Sequence, residues 1–151
     1  MQAPEFDSDP AAIALVRGRE MLTDHYGGWP SFHDGEVIRL TLERAPMEDT
    51  ATSNVRSVFS VFDPLKSKSD PDRKQAHTEF LFGGVQDFTC LNWNHQNPIC
   101  GMSITLAPHG GFEIYWGGCG HEVRFHASSA AVLDLVDLNP FRIRWQASGS
   151  A

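Results

Sequence analysis

Met102-Ser103-Ile104-Thr105-Leu106, then Pro108-His109-Gly110-Gly111, then Phe112-Glu113-Ile114-Tyr115-Trp116: two alternating runs flank one tight turn. Successive side chains of a strand point to opposite faces, so an apolar residue at every second position marks a strand with one buried face. A short Pro/Gly turn between two such runs marks an antiparallel pair. Working back from this hairpin, Thr89, Leu91 and Trp93 alternate with Cys90 and Asn92, and His77 to Phe82 alternates up to a Gly83-Gly84 break. Val55 to Phe62 is rich in β-branched and aromatic residues. Ile38, Leu40 and Leu42 alternate with Arg39, Thr41 and Glu43. Working forward, Gly117-Gly118-Cys119-Gly120 closes one strand, and Val123 with Phe125 begins the next. Residues 130–138 are compatible with helix or strand, and Val132, Leu133, Leu135 and Val136 favour strand. Phe141, Ile143 and Trp145 alternate with Arg142 and Arg144, the pattern of an edge strand protected by its charges. The glycine pairs at 83–84, 110–111 and 117–118 read as hairpin turns.

One stretch departs from this period. Asp9 before Pro10 is a helix start, and Ala11, Leu15, Gly18 and Leu22 form a stripe at helical spacing. The pattern predicts a single helix over about residues 10–24, ended by Gly27-Gly28. Together these elements predict an α+β fold: an antiparallel β-sheet or small sandwich with one N-terminal helix packed on it. The domain is expected over residues 1–146, with 147–151 a disordered tail and Pro64–Gln75 a mobile loop.

A chain of 151 residues has room for one such domain, and its hydrophobic fraction of 41% suffices for a core without disulfide or metal. The longest apolar run, Ala11 to Val16, is far short of the roughly 20 residues a bilayer requires. The acidic N-terminus lacks the basic and apolar regions of a secretory signal, so a cytoplasmic protein is expected. Cys90, Cys100 and Cys119 form no CxxC spacing, which predicts buried free thiols in a reducing compartment. The net charge is −7. Lys66, Lys68, Arg73 and Lys74 outweigh Asp70 and Asp72 within Pro64–Gln75, which leaves the rest of the chain at −9. So acidic a body disfavours nucleic acid and attracts basic proteins.

The most distinctive residues are Trp29-Pro30-Ser31-Phe32-His33-Asp34-Gly35-Glu36-Val37, between the expected helix and the first strand. One reading makes His33 a base oriented by Asp34 or Glu36. The competing reading makes Trp29 and Phe32 core plugs, with His33 and Asp34 bonding the turn's own backbone. Neighbours on an extended chain point apart, which makes a His–Asp pair poor catalytic geometry, and no nucleophile accompanies it. Asn92, Asn94, His95, Gln96 and Asn97 form a polar knot that either contacts a ligand or satisfies its own turn. His121 and His126 differ by an odd number, so on one strand they could not share an ion, and no metal motif is present. No catalytic residue, cofactor or metal is therefore expected. The residues expected to bind are Trp29, His33, Asp34, Glu36, Asn94 and Asn97.

The stretch Trp29 to Val37 resembles the W-P-x-F-H-D-x-E-V opening of the immunity protein 50 family. Phe80 to Phe88, followed by Asn92 to Asn97, is similar to that family's F-x-G-V-x-D strand pair and Asn-Gln-Asn turn, and Gly111 to Phe125 fits its closing strands. The likeness covers about residues 26–127. It implies a small α+β protein encoded beside a polymorphic toxin, with a role as a non-enzymatic immunity protein. The implied partner is a cognate protein toxin, and the acidic body suits a basic one such as a nuclease. A monomer or weak homodimer is expected, because an exposed edge strand could pair with its own copy. The alternative from another class is a small-molecule-binding or hydrolytic domain using the His33/Asp34 region, which requires those residues and the polar knot to converge.

Overall fold

The alternating stretches become eight strands in the computed structural model, which describes residues 7–45, 52–63, 66–67 and 69–139. They are β1 (Gly35–Ala45), β2 (Thr52–Phe62), β3 (Gln75–Gly83), β4 (Gln86–Leu91), β5 (Pro98–Leu106), β6 (Phe112–Gly118), β7 (Glu122–Ala127) and β8 (Ser129–Asp137). All neighbours pair antiparallel, in the order β4-β7-β6-β5-β1-β2-β3-β8. Residues 129–137 are thus strand, the alternative that their β-branched residues favour. The run Phe141 to Trp145 and the tail 147–151 lie outside the described residues.

The fold is predominantly antiparallel sheet, and this corrects the expectation of an α+β fold with a packed N-terminal helix. Among the described residues there are two short helices, α1 (Pro10–Ile13) and α2 (Glu20–Tyr26). The start is as expected: Asp9 Oδ1 accepts from Ala11 N at 2.9 Å, with Pro10 in the first turn. The continuation fails because Arg17 leaves the helix to bond the edge of β8. Its N–H donates to Ala130 O at 3.1 Å, and its carbonyl accepts from Val132 N at 2.7 Å. Gly18 follows at φ +72, where a Cβ would lie 2.4 Å from Val132 O, so the close approach requires glycine. The expected stripe is displaced as well. Ala12, Val16 and Leu22 are fully buried, whereas Leu15 is 61% exposed.

Strands β1 and β5 share only two register pairs, Gly35 with Ile99 and Glu36 with Pro98. Phe82 on β3 and Phe125 on β7 have ring centroids 5.1 Å apart. In a flat sheet the five strand spacings between them would amount to about 24 Å. The sheet must therefore fold over at the β1/β5 seam, so that the leaf β4-β7-β6-β5 faces the leaf β1-β2-β3-β8. Phe59, Phe82, Trp116 and Phe125 fill the space between the leaves, with Phe59 edge-on to Trp116 at 5.0 Å. Such edge-to-face pairs add about 0.5–1.5 kcal/mol each beyond the burial of their area.

Two further expectations are corrected here. Gly83-Gly84 is not a hairpin turn: it carries the chain from one leaf to the other, since β3 and β4 are not neighbours. On β4 the buried parity is inverted, with Phe88 and Cys90 packed against the core while Leu91 and Trp93 are 55% and 45% exposed. The cause is a register shift between Gln86 and Thr89, where Asp87 takes φ 55 and rotates the following residues to the other face.

Candidate binding site

The seam brings together the two stretches singled out in the sequence. Besides the Gly35–Ile99 and Glu36–Pro98 pairs, Val37 N donates to Asn97 O at 3.0 Å. The turn at 31–36 and the knot at 92–97 thus occupy one corner of the molecule.

The 31–36 turn is anchored by aromatic burial. Phe32 is fully buried, with its ring 5.8 Å from Phe59 and 5.9 Å from Phe80. Its φ is 62, and that of Asp34 is 61. Positive φ is uncommon for any non-glycine residue and an outlier for a bulky one, with a cost on the order of 1–3 kcal/mol. Burial of the Phe32 ring offsets that cost. Gly35 completes the turn, where a Cβ would lie 2.9 Å from both Phe32 O and Ser60 O.

This backbone changes what His33 and Asp34 can do. Extended neighbours would point apart, but in this turn His33 Nδ1 lies 3.3 Å from Asp34 Oδ1, with both side chains exposed. Asp34 Oδ2 is also 3.9 Å from Arg73 Nη2. Arg73 falls in the stretch expected to be a mobile loop. It is 5% exposed, lies 4.3 Å above the Phe62 ring, and donates from Nε to Asp63 O at 3.3 Å. Its neighbours in sequence are Asp and Lys, so no signal set it apart.

Trp29 is half-buried, 5.8 Å from Phe32 and 6.2 Å from Phe80. Its Nε1 is buried and has no hydrogen-bond partner among the described residues. With Pro30 and Ser31 it lines a cleft of about 510 Å³ that Asp7, Ile13 and Arg19 complete; His33 and Asp34 do not line this cleft. Glu36 is half-buried, opposite Ser60 on one side and Pro98 on the other.

The knot is built differently. Asn97 is 3% exposed; its Oδ1 accepts from Asn94 N and its Nδ2 donates to Asn94 O, both at 2.8 Å. Asn94 Nδ2 donates to Asn92 O at 2.7 Å, and Asn92 Nδ2 to Gly120 O at 2.8 Å. These amides bond the backbone around them, and both polar atoms of the Asn97 side chain hold the turn. Beside it stands a residue the alternation misassigned: Trp93, exposed, with its ring 5.6 Å from His121. His121 is 2% exposed, and its Nε2 accepts from Trp116 Nε1 at 3.3 Å. Burial holds its pKa below the usual histidine value, partly offset by the nearby Leu91 backbone. His126 is elsewhere, 3.9 Å from Glu113.

The corner thus offers solvent an imidazole–carboxylate pair on a fixed backbone and, from the neighbouring turn, an indole. Among the described residues no three His, Cys, Asp or Glu side chains cluster as metal ligands, and no helix is long and apolar enough to cross a membrane. The chain matches no family model, no curated protein and no solved structure.

Proposed function

We propose that this chain is an immunity-type binding protein that neutralises a cognate protein toxin by occlusion, in the cytoplasm and without catalysis. The observation that carries the reading is the His33–Asp34 pair, held exposed on a strained turn anchored by the buried Phe32. Strained backbone that supports exposed polar groups does little for stability, and such outliers concentrate at functional sites. The same residues form the part of the sequence that most resembles the immunity protein 50 family.

The surroundings fit a protein partner. Exposed Leu91 and Trp93, at the end of β4 and in the neighbouring turn, supply apolar area, and tryptophan is enriched among the few residues that dominate interface energy. The net charge of −7 favours a basic partner, by raising its encounter rate more than its final affinity. An interface of ordinary size, about 800 Å² per partner, would extend well beyond the corner.

The test is co-purification with the product of a neighbouring gene, paired with growth rescue when that product is expressed. A stoichiometric complex that Asp34→Arg and Trp93→Ala each weaken at least tenfold is the expected outcome. A complex indifferent to both variants would remove the corner from the interface. Absence of both toxicity and complex would overturn the immunity role.

A further inference from the structure

Three candidates stand outside that reading: the 510 Å³ cleft beside Trp29, the unpartnered hydroxyls of Ser57 and Thr78 in the core, and the thiols of Cys100 and Cys119. The thiols carry an inference furthest, and it does not depend on the existence of a toxin partner. Cys100 Sγ and Cys119 Sγ lie 2.6 Å apart, nearer than two unbonded sulfurs rest and within about 0.6 Å of a disulfide bond length. We propose that Cys100 and Cys119 are a reversible redox pair, converted to a disulfide by exchange with a low-molecular-weight disulfide such as oxidised glutathione.

The local backbone explains how the two sulfurs meet. The β5–β6 register slips between Ile99 and Gly101, so Cys100 is the extra residue of a bulge. Cys119 follows Gly117 and Gly118, at φ 152 and 101, and precedes Gly120 at φ 88. Glycines on both sides leave this turn pliable enough for the small closure that bond formation requires. Cys119 is exposed, which corrects the expectation that the thiols are buried, and Cys100 is half-buried. Cys90 is paired with neither in this geometry, and burial pushes its thiol up.

In the exchange, the Cys119 thiolate attacks one sulfur of the small disulfide and releases one small thiolate. Cys100 then attacks the mixed disulfide at the Cys119 sulfur and releases the second. Two protein thiols and one small disulfide become one protein disulfide and two small thiols, and the two protons pass to the leaving thiolates. The hydrogen bond with Cys100, then burial, then the charges of Cys100 and Asp34 push the Cys119 thiol up to about 11. Only the thiolate attacks, so the exchange is slow at neutral pH and the pair rests as thiols without an oxidant. The finished bond would pin the Gly117–Gly120 turn, which accepts the Asn92 amide, to β5 beside the seam.

The experiment incubates the full chain with oxidised glutathione, alkylates free thiols, and maps peptides by mass spectrometry without reduction. The expected result is one cross-linked peptide containing Cys100 and Cys119, with Cys90 alone alkylated. The oxidised chain should melt several degrees higher, and dithiothreitol should reverse both changes. Cys119→Ser should abolish the cross-link. Three alkylated cysteines, a stable glutathione adduct without a cross-link, or a bond that includes Cys90 would each overturn the proposal.

Discussion

The two turns that meet at the seam reach rigidity by opposite means. The 92–97 knot spends its polar groups on itself, Asn97 closing the turn with two reciprocal bonds to Asn94. The 31–36 turn is fixed by a buried aromatic ring, which leaves His33 and Asp34 exposed on a strained backbone, Asp34 also 3.9 Å from Arg73. A loop rich in hydrogen-bonding side chains is therefore not by itself a binding loop. The side chains available to a partner are those that the turn does not need.

Substitutions can break this contrast. Phe32→Ala should have the largest effect, a loss of about 3–5 kcal/mol in denaturant-measured stability, because a buried ring is replaced by a cavity. If it costs under about 1 kcal/mol, the turn is not anchored by Phe32. Asn97→Ala should cost about 1–3 kcal/mol, since it removes both hydrogen bonds that this buried side chain makes to the Asn94 backbone. Urea titration of that variant against the wild type checks it. At the other extreme, His33→Ala should change stability by no more than about 0.5 kcal/mol while weakening binding of the proposed toxin partner. A destabilisation comparable to that of Asn97→Ala would make His33 structural after all.

Acid sharpens the comparison through His121, which lies beneath Trp93. Burial lowers the pKa of His121, and also those of His25 and His77, from the ordinary value of 6.5. The unfolded chain then binds protons that the folded chain does not, so this contribution is fully present above pH 6.5. It is lost as pH falls from 6.5 through the depressed folded values. Melting temperature should accordingly decline below pH 6.5. A profile that stays flat down to pH 5 would mean that these histidines are solvated.

Strand positions were legible in the sequence because a one-sided buried strand writes its period directly into the residues, as at Phe112, Ile114 and Trp116. Faces were legible only where no bulge intervened: the shift at Asp87 inverted β4 and moved Leu91 and Trp93 into solvent. The helix over 10–24 failed because Arg17 bonds a strand more than a hundred residues away, and such tertiary demand leaves no local mark beyond Gly18. Of the site, the 29–37 stretch stood out by composition, whereas its meeting with 92–97 is a non-local pairing. The approach of Cys100 to Cys119 depends on a bulge that no spacing rule announces.

The two-pair seam between β1 and β5 also implies an order in time. β5, β6 and β7 form a meander joined by the short links 107–111 and 119–121, and hairpins of that kind close in about 1–10 μs. The Gly35–Ile99 pairing must instead close everything between those residues, for a ladder only two pairs long. The meander should therefore assemble first, and the seam should zip late, when the aromatic faces already hold the leaves together. Ile114→Val should then slow refolding, while Val37→Ala should chiefly speed unfolding. A chain that folds in this order completes the corner of 31–36 and 92–97 only after its core is in place.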